Sequence, residues 1–185
     1  MDRIKKNIIE LTHISLEEYK GKEKIPLILL ADNVRSAQNI GAMLRTSDAF
    51  LLREVIMGGI SPAPPSAEIS KTSLGAEESV CWRHVDDAYA EALRLREAGM
   101  FILSLEQTHN SLPLQDFPKA FSREELFARG CVLVVGNEVK GVDQRIIDIS
   151  EASLEIPMNG IKHSLNVSVS AGIALWEIYK YIKVQ

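Results

Sequence analysis

The chain has 185 residues, 46% hydrophobic and 25% charged, with a formal net charge of -4 and a pI near 5.6. That length suits one domain able to bury roughly 70% of its unfolded surface, and the acidic balance weighs against a nucleic-acid binder that works by bulk positive charge. No apolar run approaches the ~20 residues a bilayer span needs, and MDRIKKNIIELTH lacks a signal peptide's apolar core, so a cytoplasmic protein without membrane association is expected.

Residues 1–24 carry mixed charges and one amphipathic pattern, Ile4, Ile8, Ile9 and Leu11, which predicts a surface leader helix ahead of a domain at 25–185. Ile25 to Ala31, IPLILLA, is a continuous apolar run, as in a central parallel strand covered on both faces. A polar loop then leads into a helix bearing Ile40, Met43, Leu44 and Ala49; in open α/β sheets such loops, at the carboxyl ends of strands, are where ligands bind. Periodicity alone is equally satisfied if Asn33, Arg35 and Asn39 are turn and cap residues and Arg45 a solvated helix face. Glu54 to Gly58 predicts a second strand and Ile60 to Ser66 a proline-rich loop. Ser66 to Leu74 predicts a short helix that Gly75 ends in the left-handed conformation. Lys71, late in that helix, is either a phosphate contact or a solvated helix end.

Further on, Asp86 to Ala98 predicts a helix ended by Gly99, Met100 to Leu105 a strand, and Glu106 to Lys119 a long polar loop. A helix over 122–129 is broken by Gly130, and the apolar strand Cys131 to Val135 runs into GNEVKGV, Gly136 to Val142. Its GxxxxG spacing is not a phosphate loop, because Val142 and Asp143 stand where Lys and Ser/Thr would. A glycine turn after a buried strand nonetheless lets a backbone approach a ligand closely. Leu154 to Ile156 reads as a strand end, and Pro157 forces a turn. After a polar loop, Met158 to His163, comes a helix with Leu165, Val169, Ile173, Leu175, Trp176 and Tyr179 near helical spacing and Ser164 or Asn166 as N-cap.

Strands alternating with helices imply an α/β domain with a mostly parallel sheet flanked by helices. The absence of GxGxxG excludes the dinucleotide fingerprint. Cys81 and Cys131 fit no metal-ligand spacing and read as reduced thiols in a core, and the histidines at 13, 84, 109 and 163 are scattered, so no metal site is expected.

Three stretches in order, Asn39 to Thr46 (NIGAMLRT), GNEVKG, and IPMNG followed by SLNVSVSAGIALWE, resemble the signature motifs of the SpoU/TrmH branch of the SPOUT RNA methyltransferases. KTSLGAEESV resembles a further family segment, and Val139 is a departure from the small residue usual after the glutamate. The resemblance implies a C-terminal deep trefoil knot, a homodimer, S-adenosylmethionine as cofactor, and methyl transfer to a ribose 2'-hydroxyl of tRNA or rRNA, with tRNA preferred.

Residue by residue, the resemblance puts Arg45, Asn39, Glu138, Ser164 and Asn166 in the catalytic site. In that reading Arg45 would clamp an RNA phosphate and stabilise the developing alkoxide rather than act as the base, since a guanidinium stays protonated, and the identity of the base is left open. Leu105, Gly136, Ile156, Met158 and Leu165 would grip the cofactor, and Arg35, Lys71, Lys162 and Arg83 are surface cations available to RNA. Trp176 and Tyr179 suit either a dimer interface or an intrachain core. Two alternatives are a catalytically silent binder of RNA or the ribosome on the same fold, and a different α/β enzyme acting on small metabolites.

Overall fold

A computed structural model describes residues 3–7 and 14–183. The strands among them are β1 (Ile25–Asp32), β2 (Leu52–Gly58), β3 (Trp82–Val85), β4 (Phe101–Leu105), β5 (Leu112–Pro113), β6 (Cys131–Val135) and β7 (Ala152–Glu155). They build one sheet in the order β3-β2-β1-β6-β4-β7-β5, and every ladder between neighbours is parallel. The helices are α1 (Leu16–Gly21), α2 (Ala37–Ala49), α3 (Ala67–Ser73), α4 (Ala76–Ser79), α5 (Ala88–Glu97), α6 (Phe117–Ala120), α7 (Arg123–Arg129), α8 (Gln144–Ile149) and α9 (Val167–Lys183).

The unbroken apolar run of β1 follows from its place between β2 and β6, with helices over both faces. Leu27, Leu29 and Ala31 join a core with Ile40 and Leu44 of α2 and Ala174, Leu175 and Ile178 of α9. Ile28 and Leu30 point the other way, into a core with Ala92 and Leu95 of α5 and Ile146 of α8. Fully burying a side chain of this size contributes about 1.5–3 kcal/mol, so the strand's position is strongly specified.

Helix α2 starts at Ser36, whose hydroxyl accepts from the Asn39 N–H, and it crosses α3 closely. Gly41 permits that approach: a Cβ there would lie 2.0 Å from Thr72 Oγ1 and 2.5 Å from the Ile69 carbonyl oxygen. The first-motif glycine is thus a packing requirement. At the other end of the chain, α9 starts where Asn166 Oδ1 accepts from the N–H groups of Ser168 and Val169, which makes Asn166, not Ser164, the N-cap.

The leader pattern falls largely outside the described residues, which leave out Ile8, Ile9 and Leu11; within 1–24 the described helix is α1, which follows a capping box between Ser15 and Glu18. Several other expectations are corrected. Leu74 itself is left-handed at φ 53°, ahead of Gly75 at 91°. Residues 106–119 are no plain loop, for they include β5, a 3-10 turn at Leu114–Asp116 and the start of α6. Leu114 and Phe117 are buried there, an anchor that a polar composition hides. Cys131 is buried, and burial pushes its thiol up to about 12, whereas Cys81 is exposed and belongs to no core.

Candidate functional site

Three adjacent strands, β6, β4 and β7, end on one side of the sheet, and the loops that follow them enclose a cavity of about 1030 Å³. All of Leu105, Gly136, Ile156, Met158 and Leu165 line it, as do Glu138, Ser164 and Asn166. The walls are therefore mixed: apolar side chains such as Leu105, Ile156, Met158 and Leu165 alternate with polar groups such as Gln107, Asn137, Glu138 and Asn166, the composition of a site that grips a ligand by shape and orients it by a few polar contacts.

The turn after β6 is closed by reciprocal backbone hydrogen bonds between Asn137 and Gly141, 3.0 and 2.9 Å. Gly136 meets the far side of that turn so tightly that a Cβ on it would lie 2.1 Å from the Gly141 carbonyl carbon. The Asn137 amide donates to the Asn33 carbonyl at 2.7 Å, while its oxygen accepts from the N–H groups of Val139 and Lys140. Val139 stands at the tip, 78% exposed and without a positive φ, so the turn closes without the small residue usual at that point. The Asp143 N–H donates to buried Asp32 at 2.8 Å. Burial pushes the Asp32 carboxyl up, and the Asp143 N–H and Asn33 amide oppose that by favouring its charged form.

Glu138 joins the three motifs. Its carboxylate accepts from the backbone N–H of Arg35 (2.9 Å) and Ser36 (3.1 Å) and from the Asn39 amide (2.9 Å). Burial disfavours its charge, yet these donors together outweigh that and hold the carboxyl below the usual range. The Asn39 oxygen in turn accepts from the Asn166 amide at 3.1 Å and from the Ser168 hydroxyl at 3.4 Å. Asn39 is thus fixed in one orientation between Glu138 and the first turn of α9, buried beneath the cavity rather than lining it.

Arg45 does not join this group. It is exposed farther along α2, outside the cavity lining, and among the described residues its side chain makes no hydrogen bond or ion pair. Arg35, Lys71 and Lys162 are exposed and make no ion pair among the described residues. Arg83 is a correction: Glu54, at 2.9 Å, and Glu91 neutralise it, so it is not a free surface cation. Its partners come from β2 and α5, which no local pattern connects. Sequence reasoning also passed over Glu106 and Gln107, which sit in a stretch without periodic signal, and Ser168, whose contact with Asn39 is made across 129 positions. Among the described residues no three His, Cys, Asp or Glu side chains form a metal-binding group, and no helix is long and apolar enough to cross a membrane.

Fold and site define an open parallel α/β protein with a large ligand cleft at the carboxyl ends of its strands and, along its wall, a polar relay in which buried Asn39 joins Glu138 and Asn166. Residues 26–176 match the model of the SpoU rRNA Methylase family, and the chain belongs to that family. A tRNA (guanosine(18)-2'-O)-methyltransferase of Aquifex aeolicus is 32% identical over 163 residues, 88% of this chain and 72% of that protein. The 23S rRNA (guanosine-2'-O-)-methyltransferase RlmB of Vibrio vulnificus is 31% identical over 170 residues, 91% of this chain and 64% of that protein. The chain thus spans roughly two thirds of the length of these relatives. Among solved structures, the A. aeolicus TrmH/SpoU tRNA modifying enzyme superposes with a TM-score of 0.76 at 29% identity, covering 90% of this chain and 80% of that one. An AdoMet-bound rRNA methyltransferase from Sinorhizobium meliloti shares the fold, with a TM-score of 0.75 at 22% identity over 94% of this chain and 62% of that one.

Proposed function

We propose that this chain is an RNA methyltransferase that moves a methyl group from S-adenosylmethionine to a ribose 2'-hydroxyl of tRNA or rRNA. The observation that carries the reading is the juxtaposition of the cavity walled by Leu105, Gly136, Ile156, Met158 and Leu165 with the Glu138–Asn39–Asn166 relay. The cavity has room for a nucleoside with an amino-acid tail, and its mixed walls, apolar at Leu105, Ile156, Met158 and Leu165 and polar elsewhere, suit one. When bound, that cofactor supplies an electrophilic methyl group.

The protein's own task is then alignment and help with the hydroxyl proton. Glu138 commits its oxygens to three donors, so it acts as an orienting acceptor. Asn39 transmits that orientation to Asn166 and the start of α9. Arg45 is the clamp for an RNA phosphate and the developing alkoxide, with Ser164 at the cavity wall.

Because Arg45 stands outside its own chain's cavity, the active form is a homodimer in which Arg45 serves the partner's cavity. The exposed apolar face of α9, with Val169, Ile173 and Trp176, suits that interface. The loops after β6 and β7 form the family's trefoil knot, the leader over 1–24 precedes the catalytic domain at 25–185, and the enzyme works in the cytoplasm. Arg35, Lys71 and Lys162 contact RNA through its phosphates, and tRNA is preferred over rRNA as target. The relatives carry methyltransferase names, which lends no support to a silent binder.

Isothermal titration with S-adenosylmethionine, followed by tritiated methyl transfer to bulk tRNA and rRNA, tests this with Arg45→Ala alongside. Cofactor binding in both proteins, with transfer reduced about 10²–10³-fold in Arg45→Ala, is expected. No cofactor binding by the wild type would overturn the reading.

A further inference from the structure

Strand β4 lies between β6 and β7 in the sheet, so the residues directly after it sit between the two loops that wall the cavity. Those residues are Glu106 and Gln107, and each reaches a different loop. The Glu106 carboxylate accepts from the Val142 N–H at 3.0 Å and from the Gln107 N–H at 2.9 Å. It lies against the turn so closely that a Cβ on Gly141 would be 2.2 Å from its Oε2. Gln107 turns to the other side, where its Nε2 donates to the His163 carbonyl at 2.8 Å.

The second contact matters because of what its target lacks. Among the described residues, the bond from Gln107 is the one hydrogen bond made by any residue from 157 to 165. Packing holds the loop little better at its tip, since Ile161 is 93% exposed. Yet this segment presents Met158, Ser164 and Leu165 to the cavity. Its far end is fixed by Asn166, so a single side chain sets the position of everything between Pro157 and that cap.

We propose that Gln107 is a positioning residue for cofactor binding, with Glu106 as its base: it latches the 157–165 loop to the 136–142 turn. This inference rests on the methyltransferase reading for its ligand but not for its geometry. With the latch released, the loop gains conformational freedom that binding must remove again, so affinity falls. Once the cofactor is seated, Gln107 contributes nothing further, and turnover at saturation is unchanged.

The decisive substitution is Gln107→Glu, which keeps length and shape but replaces the donor by an acceptor facing the His163 carbonyl. Gln107→Lys restores a donor of similar reach. Titration of the full chain with S-adenosylmethionine should show a Kd raised roughly fivefold in Gln107→Glu, the size of one neutral hydrogen bond, and recovered to within about twofold in Gln107→Lys. KM for the cofactor should follow Kd, while kcat at saturating cofactor stays within about twofold. Hydrogen exchange of the cofactor-free proteins should show amides 158–165 exchanging faster in Gln107→Glu alone, with melting temperature unchanged. Wild-type affinity and wild-type exchange in Gln107→Glu would overturn the latch, as would a fall in kcat without a change in KM. Failure of the wild type to bind S-adenosylmethionine would instead overturn the methyltransferase reading, and the exchange measurement would still decide the latch.

Discussion

Two loops wall the same cavity and are held in opposite ways. The turn from Gly136 to Asp143 is bonded to itself, to the ends of β1 and β4 and to the start of α2. The loop from Pro157 to Leu165 depends on Gln107 alone among the described residues. The contrast divides the labour of the site. Polar groups that must hold a fixed angle, such as Glu138 and Asn39, belong to the densely bonded side. Groups that act by shape, Met158 and Leu165, belong to the lightly tethered side, where a ligand can enter before the wall settles against it.

The largest effect should come from breaking the dense side by volume. Gly136→Ala places its Cβ 2.1 Å from backbone of the same turn, which no side-chain rotation relieves. Stability should fall by about 2–3 kcal/mol, on the order of 5–10 °C by thermal melting, and cofactor binding should be lost with it. A mild Gly136→Ala would mean the turn is softer than its hydrogen bonds imply.

Next in size is Asn39→Asp, which removes the donor to Glu138 and sets two carboxylates against each other. Methyl transfer should fall about 10²-fold, as for a misaligned site, while cofactor affinity changes by less than about threefold because Asn39 lies under the cavity rather than in its wall. Equal losses in Kd and kcat would show that the relay and the cavity are one unit.

A smaller effect should appear with pH. The Glu138 carboxyl is held below its ordinary value of 4.5, so its contribution to stability is fully present above that value and is lost as pH falls through the lower, folded-state value. Melting curves of wild type and Glu138→Gln should therefore differ by a constant amount at neutral pH and converge progressively below about pH 4.5. Parallel curves down to the acid limb would remove Glu138 as the charged acceptor of the network. Smallest of all is Val139→Gly, since Val139 points into solvent; melting temperature should move by no more than about 2 °C and activity should hold.

Much of this is legible in the sequence. The continuous run of β1 and the five apolar residues of β6 declared buried parallel strands, and the helical spacing after Asn166 declared α9. Residues that a resemblance assigned to the cofactor do line one cavity. What stayed hidden was short or non-local. Strands β3 and β5 and helices α4 and α8 have between two and six residues, too few for any period to register. The bond from Asn166 to Asn39 spans 127 positions, and that from Gln107 to His163 spans 56, so neither leaves a trace in local pattern. Arg83 shows the same limit, because its exposure depended on two acids brought in by other elements.

At the margin of the sheet, β5 consists of only Leu112 and Pro113, paired to β7 on one side. Proline has no N–H to offer, and two residues are too short a template for a foreign strand. The rim beyond β7 is therefore blunted, and a chain emerging beside its neighbours has no ribbon there on which to zip. A protein rich in parallel ladders, which assemble slowly, gains from this a lower tendency to clump during synthesis and at high concentration.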